Sequence, residues 1–164
     1  MNNSRKTVRS ALASPWGPMT LVAHDEALVW VGFDGQKHAP DTSQWPVSTT
    51  HPVLRLAADE LQQYFAGERS QFDVPVDFSS GTAFQQSVWT ALQEIAPGAT
   101  TSYGAIGQSI GNPNAVRAVG GAVGRNPITI IVPCHRVVGA NGAMTGYAGG
   151  LPRKVALLQL ESHL

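Results

Sequence analysis

Glycine and proline punctuation limits the second half of this chain to short elements. Pro97-Gly98, Gly111-Asn112-Pro113 and Asn126-Pro127 cut the stretch from Thr82 to Pro127 into three pieces, because proline removes a backbone donor and clashes with the preceding turn. Thr82 and Gln85 have capping-box spacing and open the first piece. Its apolar stripe is Phe84, Val88, Leu92 and Ile95, and Pro97-Gly98 ends it. Ser102 caps the second, "SYGAIGQSI", and the third runs from about Asn114 to Val123. Two short helices joined by a tight glycine-containing turn form a helix-turn-helix candidate, although many helical hairpins share the pattern.

The third helix has an unusual composition. "AVRAVGGAVG" carries one charge, Arg117, among Ala, Val and Gly. Each internal glycine costs about 1 kcal/mol relative to alanine, so something approaches this backbone closely: the strand that follows, or an outside partner. Arg117 reads as a probe reaching outward from a smooth surface. The β-branched run "ITIIVP" predicts a buried strand ending at Pro133. Cys134, the chain's only cysteine, would then sit at a strand end. "ANG" at 140–142 is a turn, and "TGYAGG" at 145–150 is a loop that a ligand can approach closely. A last helix begins near Pro152, with Leu157 and Glu161 one turn apart.

The first half reads as a small α+β unit. "KTVRSALAS" and "MTLVAH" flank the turn "SPWGP", and "ALVWVGFDG" alternates before a glycine turn. From Pro52 to Ala66, Leu54, Ala57, Ala58, Leu61, Tyr64 and Phe65 share one helical face, and Gly67 stops the helix. "FDVPVDF" is expected as an edge strand because of Pro75. "SSG" at 79–81 marks a linker. The expected fold class is α+β: an N-terminal α/β lobe, residues 1–78, with a short antiparallel sheet plus helix, then a mainly helical C-terminal lobe, residues 79–164, with the helix-turn-helix.

A hydrophobic content of 43% supports a real core, and a charged fraction of 13% argues against disorder. One cysteine excludes an internal disulfide framework and a Cys-rich zinc site. "MNNSRKTVRS" has no apolar signal region, and no apolar run approaches about 20 residues, so a cytoplasmic location without membrane contact is expected. Residues 1–81 carry six Lys/Arg against nine Asp/Glu, and residues 82–164 carry five against two. The cationic second half would tolerate a polyanion, although a plain solvated surface gives the same count.

A free thiol is only a few per cent ionised at pH 7, so a nucleophilic Cys134 needs a neighbour to take its proton. His135 adjoins it in sequence; adjacent side chains often diverge, which makes a bridging water a plausible link. Glu161 is the natural group to orient the histidine, since Glu94 is the only other carboxylate residue after position 81. On spacing alone, a structural Cys beside a chance His is an equal alternative.

"IVPCHRVVG" resembles the active-site motif of the O6-alkylguanine-DNA alkyltransferases. "FQQSVWTAL", "TSYGAIGQSIGNPNAVRAVGGAVGRNP" and "TGYAGGLPRKVALLQLE" are similar to the same family's C-terminal domain in order and spacing, covering residues 82–162 almost continuously. "SPWGPMTL" and "ELQQYFAGE" are similar to its looser N-terminal lobe. The resemblance implies a DNA repair protein that flips O6-alkylguanine out of the duplex and moves the alkyl group irreversibly to itself, one lesion per chain. Cys134 would be the acceptor, with His135 activating it through a water and Glu161 holding the His. Tyr103 would sit by the target phosphate and guanine and supply a proton at N3. Arg117 would fill the vacated stack. Asn126 would brace the turn against the active-site segment. Val137, Tyr147, Ala148 and Gly149 would line the guanine pocket. The helix carrying Ala115, Ala118 and Gly120 would lie in the minor groove of double-stranded DNA.

The same resemblance implies no cofactor and, with no Cys in the N-terminal lobe, no metal. Some members have serine after the pocket tyrosine where this chain has Ala148, which bears on tolerance for bulky adducts. No Cys-rich regulatory domain precedes the lobe, so a transcriptional role is not expected, and the protein would be nucleoid-associated when on DNA. Alkyl-group preference, O4-alkylthymine as a substrate and cooperative self-association on DNA stay open. Two alternatives remain: a non-catalytic alkyltransferase-like lesion binder, against which Cys134 itself argues, and a Cys-His hydrolase or redox sensor, which would need turnover or a second cysteine. His24, His38, His51 and His163 show no ligand spacing and are expected at the surface.

Overall fold

The computed structural model describes residues 6–164; residues 1–5, the start of the expected N-terminal lobe and of "MNNSRKTVRS", lie outside the described residues. Strands β1 (Val8–Ser14), β2 (Gly17–Ala23) and β3 (Leu28–Phe33) form an antiparallel meander. Pro15 and Trp16 make the tight first turn, with Gly17 at φ 122°. Helix α1 (Pro52–Phe65) has proline in its first turn and a His51 ring nitrogen accepting from the Val53 N–H. It buries Leu54, Ala57, Leu61 and Tyr64 against Leu12, Met19, Leu21, Leu28, Val31 and Phe33 of the sheet. The helix stops where Gly67 takes φ 77°.

Two segments close the outer edge of β3, and both depart from the expected strands. "FDVPVDF" touches the edge only at Val76, where the Leu28 N–H donates to Pro75 O (2.9 Å) and the Asp77 N–H to Leu28 O (2.8 Å). Pro75 cannot donate, and the buried Glu60 carboxylate captures the N–H groups of Asp73 and Val74, which draws the segment onto α1 and off the ladder. "ITIIVP" is likewise a compact turn. Only Ile128 bridges to Val31. Ile130 then adopts φ 71°, and the Val132 N–H folds back to Ile128 O at 2.9 Å. The run is β-branched because it is buried; Asn126 supplies the hydrogen bonds that a neighbouring strand would have supplied.

The C-terminal part begins with α2 (Ala83–Leu92), whose capping box between Thr82 and Gln85 is complete. It ends at Leu92, short of Pro97-Gly98, and single turns cover the gap. Ser102 caps α3 (Tyr103–Ser109), Gly111 at φ 79° makes the turn, and α4 (Val116–Gly124) follows. The Trp89 indole donates to Ala122 O at 2.8 Å and fastens α2 to α4. Strands β4 (Thr101–Ser102) and β5 (Val137–Val138) pair in parallel, and α5 (Leu151–Glu161) closes the chain. The fold is α+β, with one apolar core running from the sheet through α1 to α2, α4 and α5. No helix among the described residues is long and apolar enough to cross a membrane.

Candidate active site

Cys134 opens a short 3-10 turn, Cys134–Arg136, directly after the Ile128–Pro133 turn, rather than ending a strand. Asn126 builds that approach. Its side-chain amide donates to Val132 O (2.7 Å) and Ile128 O (3.4 Å), and its oxygen accepts from the Ile128 N–H (3.0 Å). Ile130, a β-branched residue in the left-handed region, is held there by burial and this brace, at a strain of about 1–3 kcal/mol. The Cys134 thiol is buried, and burial pushes its pKa up to about 11, against smaller lowering effects of Asn126 and the Lys154 charge. At pH 7 about one thiol in ten thousand would ionise unaided.

His135 is fully buried beside it. Its Nε2 lies 2.7 Å from Glu161 Oε2. Glu161 is gripped from three directions: by Tyr64 Oη (2.7 Å), by His135, and by the Arg136 guanidinium through Nε (2.8 Å) and Nη2 (2.7 Å). Burial opposes the Glu161 charge, but the hydrogen bonds donated by His135, Arg136 and Tyr64, together with the electrostatic effect of His135, outweigh it and hold the carboxyl at about 2. An ionised carboxylate only accepts, so Nε2 carries the ring proton and Nδ1 keeps its lone pair. Nδ1 is buried with no hydrogen-bond partner among the described residues. Burial, more than any charge, keeps His135 below its ordinary pKa. The arrangement is a neutral imidazole base, oriented by an anion, next to a thiol that cannot ionise alone.

Of the remaining expected residues, Tyr103, Gly120, Tyr147 and Ala148 line one cleft of about 640 Å³. Tyr103 Oη meets Thr145 Oγ1 at 2.7 Å and links α3 to the glycine-rich loop. Gly149 is buried against Tyr147 and Phe33, where a Cβ would come within 2.8 Å of the tyrosine ring. Val137 is fully buried in β5 and, like Gly149, is not part of the cleft lining. Arg117 and Ala118 are exposed on α4, Ala115 and Gly120 are partly exposed, and Arg117 stands outside the cleft lining.

Four residues with roles at this site were not singled out from sequence. Tyr64 and Arg136 hold Glu161. Lys154, fully buried, donates to Val137 O (2.6 Å) and Thr145 O (3.1 Å) and so ties the loop to β5. Arg153 stacks 4.2 Å from the Phe33 ring centre and donates to Trp16 O and Gly149 O. The signal for Lys154 was its place on the stripe Lys154, Leu157, Glu161, a charged pair on a buried helical face.

Comparison with known proteins settles the family. The sequence profile of the 6-O-methylguanine DNA methyltransferase DNA binding domain matches residues 83–163, and that of the same protein's ribonuclease-like domain matches residues 7–78. The chain belongs to the 6-O-methylguanine DNA methyltransferase family. It is 52% identical over 149 residues to the methylated-DNA–protein-cysteine methyltransferase of Mycobacterium tuberculosis (90% of this chain, 88% of the relative). It is 51% identical to that of Methanosarcina acetivorans (90% and 94%). A crystal structure of Mycobacterium tuberculosis OGT in complex with DNA superposes with a TM-score of 0.87 at 48% identity, covering 94% of this chain and 92% of that one. The enzyme class of the chain is that of the family, a DNA-repair methyltransferase with a DNA-binding domain.

Proposed function

We propose that this protein flips O6-alkylguanine out of duplex DNA and transfers the alkyl group irreversibly to its own Cys134, one lesion per chain. The observation that carries the reading is the buried line from Glu161 through His135 Nε2 to an unpartnered Nδ1 beside the one cysteine. No direct hydrogen bond joins His135 to Cys134, so one intervening water would carry the thiol proton to Nδ1. The imidazolium that forms is stabilised by Glu161. The thiolate then attacks the alkyl carbon, the C–O bond breaks, and guanine leaves with a proton supplied at N3 by Tyr103. The thioether product has no route back.

A thiol buried this deeply cannot reach a base inside the stack, so the nucleotide must leave it. Unstacking costs a few kcal/mol, and Arg117, exposed on α4, would fill the gap and offset part of that cost. Ala115, Ala118 and Gly120 give α4 the smooth surface a minor groove needs. Val137, Tyr147, Ala148 and Gly149 would form the walls of the guanine pocket. The site of action would be the cytoplasm, on the nucleoid.

A pair of variants separates the steps. Cys134→Ala should bind duplex carrying O6-methylguanine within about threefold of the unaltered protein while accepting no methyl. Arg117→Ala should lose at least tenfold in rate on duplex and little on free O6-methylguanine base. Lost binding in the first, or equal losses on both substrates in the second, would contradict these roles.

A further inference from the structure

We propose that Tyr64, carried by the N-terminal lobe, is a positioning residue of the transfer chemistry: its hydroxyl fixes Glu161 and shares that carboxylate's charge, so that His135 remains a neutral base. The inference rests on the transfer reaction proposed above and concerns the part of the molecule that contributes no other group to the catalytic line. Helix α1 buries Leu54, Ala57, Leu61 and Tyr64, and beside them the Glu60 carboxylate, whose partners are the Asp73 and Val74 N–H groups. A hydroxyl at that depth is costly unless it is partnered. Tyr64 is fully buried, its ring is pinned by Phe65 (5.8 Å, 70°) and Phe72 (5.6 Å, 42°), and its hydroxyl points 2.7 Å from Glu161 Oε2, a residue 97 positions later in the chain. The same oxygen receives His135 Nε2 at 2.7 Å.

The charge logic gives the contact a chemical consequence. A carboxylate facing an imidazole alone in a buried site would favour the imidazolium strongly, and an imidazolium cannot accept a thiol proton. Here the anion is divided. Arg136 takes both oxygens, Tyr64 takes Oε2 as well, and His135 receives the remaining share. The other groups facing this line are Lys154 from α5, whose charge works against protonation of His135, and the Cys134 thiol and Tyr147 phenol, both held neutral by burial. Tyr64 cannot itself act as an acid, because burial and the Glu161 charge push its phenol far above the ordinary range.

The sign for a variant follows. Without the Tyr64 hydroxyl, more of the carboxylate's charge falls on the imidazole, the His135 pKa rises, and base function is lost at a higher pH. Tyr64→Phe keeps the ring and its packing. The measurement is the rate of methyl uptake between pH 4.5 and 9, with duplex and with free O6-methylguanine base, beside duplex affinity. The acid limb of the variant should move toward neutral pH by the same amount on both substrates, so that several-fold more rate is lost at pH 6 than at pH 8, with affinity within about twofold. A uniform loss with the limb unmoved, or a loss confined to duplex, would overturn the proposal.

Should the variant fold poorly, 15N NMR of His135 in the unaltered protein still tests the premise of a neutral ring. A neutral ring protonated at Nε2 from pH 6 to 8 is expected, and an imidazolium at pH 7 would overturn it. Absence of methyl uptake by the unaltered protein at every pH would instead refute the transfer reaction itself.

Discussion

In the proposed transfer Cys134 is under two opposed demands, since it must be shielded from water to hold a reactive thiol and yet must ionise to react. Burial that raises its pKa to about 11 meets the first and makes the second depend on His135. Glu161 then becomes the residue on which both stability and chemistry converge. Glu161→Gln would leave the Arg136 guanidinium buried without its counter-charge, a loss of about 3–5 kcal/mol, and should lower both the urea midpoint and the transfer rate. Because the folded-state pKa of Glu161 is depressed to about 2, its stabilisation is fully present above the unfolded carboxylate value near 4.5 and is lost as pH falls toward 2. Urea melts at pH 5, 4, 3 and 2 should show the fall in the native protein and a flatter profile in Glu161→Gln. The His135–Glu161 contact was legible in the sequence, because Glu161 and Glu94 are the only carboxylate residues after position 81, whereas the acceptor role of Cys134 came from the family resemblance. Tyr64 and Arg136 were not, since a tyrosine in an apolar stripe reads as core and only the three-dimensional fold brings α1 to α5.

The elements repeat that lesson in both directions. α2 and α3 start at their expected caps, Thr82 and Ser102, and Gly111 makes the turn, because these signals act locally; α2 nevertheless stops short of Pro97-Gly98, and α4 starts without a side-chain cap. "ITIIVP" and "FDVPVDF" mislead because β-branched burial and Pro75 fit a buried turn as well as a strand; the deciding contacts come from Asn126 and Glu60, which periodicity does not record. For α4 the structure removes one of the two explanations at two of its glycines. A Cβ at Gly121 or Gly124 would meet nothing within 4 Å, so internal packing does not require glycine there. Gly121→Ala should therefore raise stability by about 0.8–1 kcal/mol through helix propensity, read as a higher urea midpoint, while weakening duplex binding at least threefold. Unchanged duplex affinity would remove α4 from the DNA interface.

At the scale of the whole molecule, the N-terminal part is fastened to the C-terminal part at three points. Tyr64 reaches Glu161. The Lys37 N–H donates to Ala148 O at 3.2 Å, and Arg153 joins Trp16, Phe33 and Gly149. The glycine-rich loop that would face the guanine is thus held from outside the DNA-binding part. Arg153→Ala should loosen it, raising amide hydrogen exchange at 145–150 and slowing transfer from duplex and free base alike, by about tenfold. The whole account depends on one event, a covalent change at Cys134. Intact mass should be recorded after mixing the protein with excess duplex bearing a single O6-methylguanine, followed by peptide mapping. The account predicts a gain of about one methylene mass, on Cys134 alone, saturating at one per chain. No gain with lesion binding intact, or a methyl group on any other residue, would contradict it.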